Sequence, residues 1–151
     1  MIEAIYIAPT KDAEQENVQS AELLQGKGII GDRAFGKIKN PGQNVTFVEV
    51  EEIDNYNNAF GQAIDQSATR RNFVTKGIRL NDLVGKEFSI GYVKFRGIEL
   101  CEPCSKLAGL LENNTISKKE VVKALLHKTG LRADVLTDGT ISVGMSFVVH
   151  K

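Results

Sequence analysis

The chain has 151 residues, the size of one domain, and its 42% hydrophobic and 25% charged residues are ordinary globular values that exclude a disordered chain. Its 19 lysines and arginines balance 19 aspartates and glutamates, so net charge favours neither nucleic acid nor an anionic membrane as a partner. The sequence shows no secretory leader and no apolar run of membrane-spanning length. We therefore expect a soluble cytoplasmic protein whose residues 1–151 form a single domain.

The first half of the chain predicts two strands, a glycine-rich loop and a helix. "IEAIYIA" (2–8) and "NVTFVEV" (44–50) are apolar and rich in β-branched or aromatic residues, as strands are. "GKGIIGDRAFGK" (26–37) has too many glycines for a helix interior and predicts a structured loop. "EEIDNYNNAFG" (51–61) is typical of a helix that stops at its terminal glycine.

The second half predicts further short strands and one strong helix. A turn at Gly85 leads into a strand that ends near Gly91, and "YVKFRGIEL" (92–100) follows as the next strand. "SKKEVVKALLHKTG" (117–130) begins with a capping box and predicts a helix that stops at its final glycine. Asp138-Gly139, between two β-rich runs, predicts a hairpin. Short strands separated by glycine turns indicate a mostly β fold, a compact β-barrel with a few accessory α-helices.

The two cysteines of the chain lie three positions apart in "CEPCSKLAG" (101–109). A closed zinc site needs four ligands, and the chain adds only His127 and His150, which are isolated in the sequence. A redox dithiol fits the Cys-x-x-Cys spacing, although the βαβ surroundings of such motifs are missing. Two buried cysteines acting as small apolar side chains fit equally well. The spacing alone leaves a functional thiol and a structural pair open.

Basic residues accompany glycine or turn residues at three further places. "GIIGDRAFGK" (28–37) contains Asp32 and Arg33, and glycine lets backbone N–H groups converge on an anion that arginine can bind through two hydrogen bonds. "ATRRNFVT" (68–75) contains Arg71 and Asn72, whose side chains share a face only if the backbone turns there. Arg132 begins a predicted strand. Each of these charged residues could equally be an ordinary solvent-exposed side chain. Together, however, they favour a site in which a thiol lies next to basic groups that bind an anionic ligand.

The order of these segments resembles the MOSC domain, named for its place at the C-terminus of molybdenum cofactor sulfurases. The resemblance runs over residues 20–149 and implies a mostly β barrel with accessory helices. Members are thought to bind molybdenum cofactor or to carry reactive sulfur on a cysteine that follows proline, a setting that matches Cys104. Cys101 is then an extra thiol, with the role of a resolving partner. Where many members have a histidine after the Gly-Asp pair, this chain has Ala34 and Phe35, and it lacks that assistance.

The resemblance implies a role for each of these residues. Cys104, as a thiolate, would accept sulfur as a persulfide or bind molybdenum directly. The phosphate and polar edge of a molybdenum-pterin cofactor would be held by basic side chains, and polar ones would fix the loop or accept hydrogen bonds from the ligand. The basic set is Arg33, Arg71, Lys106 and Arg132, and the polar set is Asp32 and Asn72.

The resemblance also implies partners, and other functions remain open beside it. A chain of this length has no room for a pyridoxal-phosphate desulfurase domain, so the sulfur would come from a separate pyridoxal-phosphate-dependent cysteine desulfurase and pass to a molybdoenzyme. This chain itself is expected to bind no pyridoxal phosphate. One alternative is a non-catalytic module that binds a phosphorylated small molecule. Another is a redox protein that uses Cys101 and Cys104 as a dithiol. Whether the chain is an enzyme is left open.

Overall fold

Eleven strands, two α-helices and two short 3₁₀ helices are formed by residues 1–102 and 117–150, the part of the chain that the computed structural model describes. The helices are α1 Val50–Phe60, α2 Lys118–Leu125 and the 3₁₀ helices Gln66–Thr69 and Leu80–Leu83. The strands are β1 Ile2–Ile7, β2 Glu16–Val18, β3 Ser20–Leu24, β4 Gly28–Ile29, β5 Val45–Glu49, β6 Phe73–Thr75, β7 Glu87–Ile90, β8 Val93–Leu100, β9 Leu131–Val135, β10 Gly139–Ser142 and β11 Phe147–Val149. No helix in these ranges is long and apolar enough to cross a membrane.

Eight of the strands form one curled sheet in the order β11-β7-β8-β9-β5-β6-β1-β2. All neighbours are antiparallel except β5 and β6, which run parallel. Backbone bonds of 2.8 Å from Ile2 N to Met145 O and from Gly144 N to Ile2 O join β1 to the turn before β11. These bonds bring β1 beside the turn that leads into β11, and the curled sheet forms a half-barrel. A smaller sheet, β10-β3-β4, completes the mostly β fold that the sequence predicts.

The inner face of the curled sheet is filled by aromatic side chains from successive strands. Phe47 stacks on Phe73 with ring centroids 5.0 Å apart and meets Phe95 edge-on at 5.5 Å, while Phe88 stacks on Phe95 at 5.4 Å. All four side chains are fully buried. Because successive strand residues face opposite sides, the residues next to these phenylalanines point to the outer face. Arg132 of β9, between the core residues Leu131 and Ala133, therefore points to the outer face, and Arg71 and Asn72 directly precede β6.

The predicted helices form, but one ends earlier than its sequence indicates. α1 stops as expected at Gly61, which adopts a left-handed conformation with φ 60°. The capping box of α2 is present, with Ser117 and Glu120 bonded reciprocally. The prediction that this helix continues to Gly130 is wrong. Leu126 leaves the helix with ψ 127°, and His127 takes φ 62°, so residues 126–130 form a connection to β9.

The predicted hairpin at Asp138-Gly139 is also wrong. β9 lies between β8 and β5, whereas β10 pairs with β3 in the smaller sheet. A two-residue hairpin turn needs positive φ, which neither Asp138 nor Gly139 adopts. Instead, Oδ1 of Asp138 accepts a hydrogen bond of 2.7 Å from the backbone N–H of Gln25. The turn thus transfers the chain from one sheet to the other.

Candidate anion-binding site

Asp32 fixes the glycine-rich loop to the end of β1. Its Oδ1 accepts a hydrogen bond of 3.0 Å from the N–H of Ala8, and its Oδ2 accepts one of 3.2 Å from the N–H of Ala34. The N–H of Arg33 donates to the Ala8 carbonyl at 2.7 Å, so the loop and the strand end hold each other from both sides. Asp32 is buried. Its carboxylate positions Arg33 and has no free face for a ligand.

The guanidinium group of Arg33 is half-buried and lies near two other cations, Arg70 and Arg71. Its Nη2 donates to the carbonyl of Arg70 at 3.3 Å, and its Nη1 lies 4.0 Å from Oδ1 of Asp32. That Nη1 atom is buried and has no hydrogen-bond partner among residues 1–102 and 117–150. Burial lowers the pKa of Arg33, Asp32 opposes the shift, and Arg70 and Arg71 add to it. A half-buried cation beside two like charges is a place where a bound anion would be stabilised.

Arg70 shapes the backbone of the site and uses its own side chain for structure. It adopts a left-handed conformation with φ 58° at the end of the 3₁₀ helix Gln66–Thr69. Its Nη2 donates to the carbonyls of Lys11 at 2.9 Å and Ala13 at 3.1 Å. Arg70 also lines a cavity of about 380 Å³ together with Glu14, Gln15, Ser67 and Ala68. Because the backbone turns at Arg70, the side chains of Arg71 and Asn72 contact different partners.

Asn72 ties three strands together. Its Oδ1 accepts hydrogen bonds from the N–H of Thr46 at 3.1 Å and from the hydroxyl of Thr46 at 3.3 Å. Its Nδ2 donates to the carbonyl of Tyr6 at 3.2 Å. The buried side chain therefore joins β1, β5 and the start of β6. The structure gives Asn72 a scaffolding position that supports Arg71.

Arg71 is connected to Cys101 through Thr129. Nε of Arg71 donates to the carbonyl of Thr129 at 2.9 Å, and the Thr129 hydroxyl donates to the carbonyl of Cys101. The N–H of Cys101 in turn donates to the carbonyl of Gly130 at 2.8 Å. These contacts place an arginine of the β6 start beside the cysteine at the end of β8. The sequence did not single out Thr129, because its partners are distant in the chain.

Cys101 is completely buried. Burial raises the pKa of its thiol, while Arg71 and Arg132 pull it down and Glu99 and Glu102 push it up. A buried thiol with a raised pKa stays protonated at neutral pH and is a poor nucleophile. Its position therefore favours a structural role.

Arg132 lies on β9, directly opposite Thr46 of β5 and Glu99 of β8. Its Nε is 3.8 Å from Oε1 of Glu99, and both side chains are substantially exposed. The site therefore extends across five neighbouring strands, from β8 and β9 through β5 to β6 and β1. The predicted residues that the structure brings to this region are Asp32, Arg33, Arg71, Asn72, Cys101 and Arg132.

Cys104 and Lys106 lie in residues 103–116, outside the described part of the chain. The preceding residue that is described, Glu102, binds His127 in two ways. Its Oε2 accepts from the His127 N–H at 3.0 Å, and its Oε1 is 2.9 Å from Nδ1 of the ring. The sequence had placed His127 in the last turn of a helix, where this pairing is not visible. In the described ranges, no three His, Cys, Asp or Glu side chains are grouped to hold a metal ion.

Three solved structures share the fold of this chain. The YUAD protein from Bacillus subtilis has a TM-score of 0.86 at 20% identity, covering 99% of this chain and 94% of that chain. YiiM from Geobacillus stearothermophilus has a TM-score of 0.75 at 19% identity, covering 100% of this chain and 75% of that chain. YiiM from Escherichia coli has a TM-score of 0.68 at 15% identity, with coverages of 100% and 71%. These identities show similarity of fold alone.

No curated protein matches this amino-acid sequence at a significant level. The family model described as "MOSC domain" matches residues 31–148, which is most of the chain. With its half-barrel, its arginines and its cysteine segment in the expected order, the chain belongs to the MOSC domain family.

Proposed function

We propose that this protein binds the molybdenum cofactor, or a related phosphate-bearing pterin, and carries sulfur on Cys104. The observation on which the proposal rests is the buried, unpartnered Nη1 of Arg33 in a cluster with Arg70 and Arg71. Neighbouring guanidinium groups that are held in place suit a phosphate, which accepts two parallel hydrogen bonds from one arginine. The carboxylate of Asp32 lies 4.0 Å from Nη1 of Arg33, beyond hydrogen-bond distance, and already accepts two backbone N–H groups.

The residues present suit the phosphate group of such a cofactor. Arg33 and Arg71 would hold the phosphate, with Lys106 and Arg132 as further expected cationic contacts. The cavity of about 380 Å³ lies beside one arginine of the cluster, Arg70, which lines it with Glu14 and Gln15. Asp32 and Asn72 already use their oxygens within the fold, so their contribution would be to hold the arginines in place. The cofactor, when bound, would supply a metal centre for oxygen or sulfur transfer.

Cys104 is the better candidate for the working thiol than Cys101. Cys101 is sealed in the core, and its raised pKa keeps it protonated. Cys104 follows three residues later, after a backbone that Thr129 and Gly130 anchor at Cys101. Arg71 and Arg132 lie within electrostatic reach of this strand end, and nearby cations stabilise a thiolate.

The sulfur step needs a persulfide donor, and a pyridoxal-phosphate-dependent cysteine desulfurase is the class of enzyme that makes one. The Cys104 thiolate would attack the terminal sulfur of the donor persulfide. A new S–S bond forms on Cys104, the donor S–S bond breaks, and the donor cysteine leaves as a thiolate. The reaction needs no external oxidant, because one disulfide-type bond replaces another. A molybdoenzyme would be the final acceptor.

The cofactor part of the proposal is tested by pterin and molybdenum analysis of protein purified without oxygen. Arg71→Gln should lower the bound pterin by about tenfold, since it removes a charge-assisted contact. Lys123→Gln, which removes an exposed charge on α2, is the matched control and should retain it. Equal pterin content in the two variants would remove this assignment.

A non-catalytic binding module for a phosphorylated small molecule is the second candidate, because the unpartnered Arg33 atom favours an anion whether or not a thiol reacts. For such a module, Cys104→Ala would leave ligand affinity and every measurable function unchanged, whereas changes at Arg33 or Arg71 would abolish binding. A Cys101–Cys104 dithiol is less well supported, because Cys101 would have to leave a fully buried position to react.

A further inference from the structure

A second group of cations lies on the outer face of β7 and β8, and it includes none of the arginines of the candidate site. Gly85, Lys86, Glu87, Lys94, Arg96 and His150 line a cleft of about 430 Å³, here named the β7–β8 cleft. None of these residues takes part in the proposed sulfur chemistry. We propose that the β7–β8 cleft binds a small phosphate-bearing molecule with at least two negative charges, at a site separate from the cofactor site.

The register of the two strands explains why the cations meet. Glu87 pairs with Arg96 and Ser89 pairs with Lys94, so these side chains share the outer face of the hairpin. The alternate residues, Phe88 among them, are fully buried on the inner face. Because the inner residues are locked in the core, the spacing of the cations on the outer face is preformed.

The charges in the cleft do not balance. Arg96 Nη2 lies 2.8 Å from Oε2 of Glu87, which is the one carboxylate of the lining. In the described part of the chain, no carboxylate lies within 4.0 Å of the ammonium group of Lys86 or Lys94. Three cations against one anion give a local excess of positive charge in a chain whose net charge is zero. Such an excess attracts a multiply charged anion more strongly than a monoanion.

His150 closes one side of the cleft in a fixed position. Its backbone N–H donates to the carbonyl of Glu87 at 3.0 Å, which continues the pairing of β11 with β7. Nε2 of the ring is 2.6 Å from the hydroxyl of Ser89. With Nε2 engaged, Nδ1 is the ring atom left to contact a ligand.

The lining also indicates the class of ligand. Apart from the imidazole of His150, which is engaged with Ser89, the lining contains no aromatic or large apolar side chain on which a base or a ring would stack. Lysine and arginine together suit phosphate oxygens, the arginine as a fork and the lysines as point charges. A phosphoryl or diphosphoryl group therefore matches the charge of the cleft and is small enough to enter it.

The test is calorimetric titration of the full chain with inorganic pyrophosphate. The double variant Lys86→Gln/Lys94→Gln should bind it about tenfold or more weakly, because two charge-assisted contacts are lost. The double variant Lys27→Gln/Lys123→Gln removes the same charge from exposed positions elsewhere and should bind normally. Arg71→Gln should retain the part of the pyrophosphate binding that Lys86→Gln/Lys94→Gln loses, which separates the cleft from the cofactor site.

A second measurement locates the ligand without relying on substitutions. Backbone amide shifts on titration should concentrate at Lys86, Glu87, Lys94 and Arg96. Three results would overturn the proposal: unchanged affinity in Lys86→Gln/Lys94→Gln, loss of all binding in Arg71→Gln, or acetate binding as tightly as pyrophosphate. The last result would reduce the cleft to a patch of general surface charge.

Discussion

Arg71 and Cys101 are 30 positions apart in the chain and are joined through a single residue. Nε of Arg71 donates a hydrogen bond to the carbonyl of Thr129, and the hydroxyl of Thr129 donates one to the carbonyl of Cys101. The contact connects the start of β6 to the end of β8, although these strands are separated by β9 and β5 in the sheet. Any movement of the cysteine segment is thereby coupled to the position of an arginine in the proposed anion site.

Thr129→Val tests that connection. Valine keeps the shape of threonine but leaves the carbonyl of Cys101 without its buried donor, so the free energy of unfolding should fall by about 1–3 kcal/mol. Urea denaturation measures the loss. Thr140→Val, at an exposed position of β10, is the matched control and should change stability by less than about 0.5 kcal/mol. Equal effects at the two threonines would show that the Thr129 hydroxyl has no special role.

Position 130 requires glycine because the backbone of Phe47 approaches it closely, whereas a glycine in an open loop has no such neighbour. A Cβ at Gly130 would lie 1.7 Å from the carbonyl oxygen of Phe47, and its φ is 101°. Gly130→Ala should therefore yield little folded protein, as judged by circular dichroism and soluble expression. Gly36→Ala meets nothing within 4 Å at φ 82° and should cost only about 1–2 kcal/mol for its backbone conformation. A well-folded Gly130→Ala protein would contradict the packing described for β5 and β9.

The raised pKa of Cys101 predicts how stability depends on alkaline pH. A thiol whose pKa is higher in the folded state binds its proton more tightly there, so its contribution is complete below the unfolded pKa of about 8.5. It is lost as the pH rises through the folded pKa. The difference in the free energy of unfolding between wild type and Cys101→Ala should therefore shrink as the pH rises from neutral to values above the pKa of a free thiol. A difference that stays constant over this range would mean that Cys101 is not buried as described.

Local patterns in the sequence predicted the features that depend on neighbouring residues. Gly61 ends α1, and Ser117 with Glu120 caps α2, because both signals act within one helical turn. The mostly β fold followed from the alternation of short apolar runs with glycine turns. The membership of Arg33 and Arg71 in one region came from the family resemblance, and the structure gives their spacing.

Features that depend on distant partners were not predictable in this way. Asp138-Gly139 has the composition of a hairpin, but a hydrogen bond to Gln25 and the pairing of β10 with β3 determine its conformation. His127 leaves its helix and pairs with Glu102, 25 positions earlier. The family resemblance implies that Asn72 fixes the loop or contacts a ligand, and nothing in the sequence indicated its hydrogen bonds to Thr46 and Tyr6. In each case a tertiary contact decided the outcome over the local pattern.

Whether Cys104 carries sulfur can be measured by intact-mass spectrometry of the protein after incubation with a persulfide donor. We expect wild type and Cys101→Ala to gain the mass of one sulfur atom that dithiothreitol removes, and Cys104→Ala to gain none. A sulfur adduct of equal yield on Cys104→Ala, or no adduct on the wild-type protein, would contradict the proposed function.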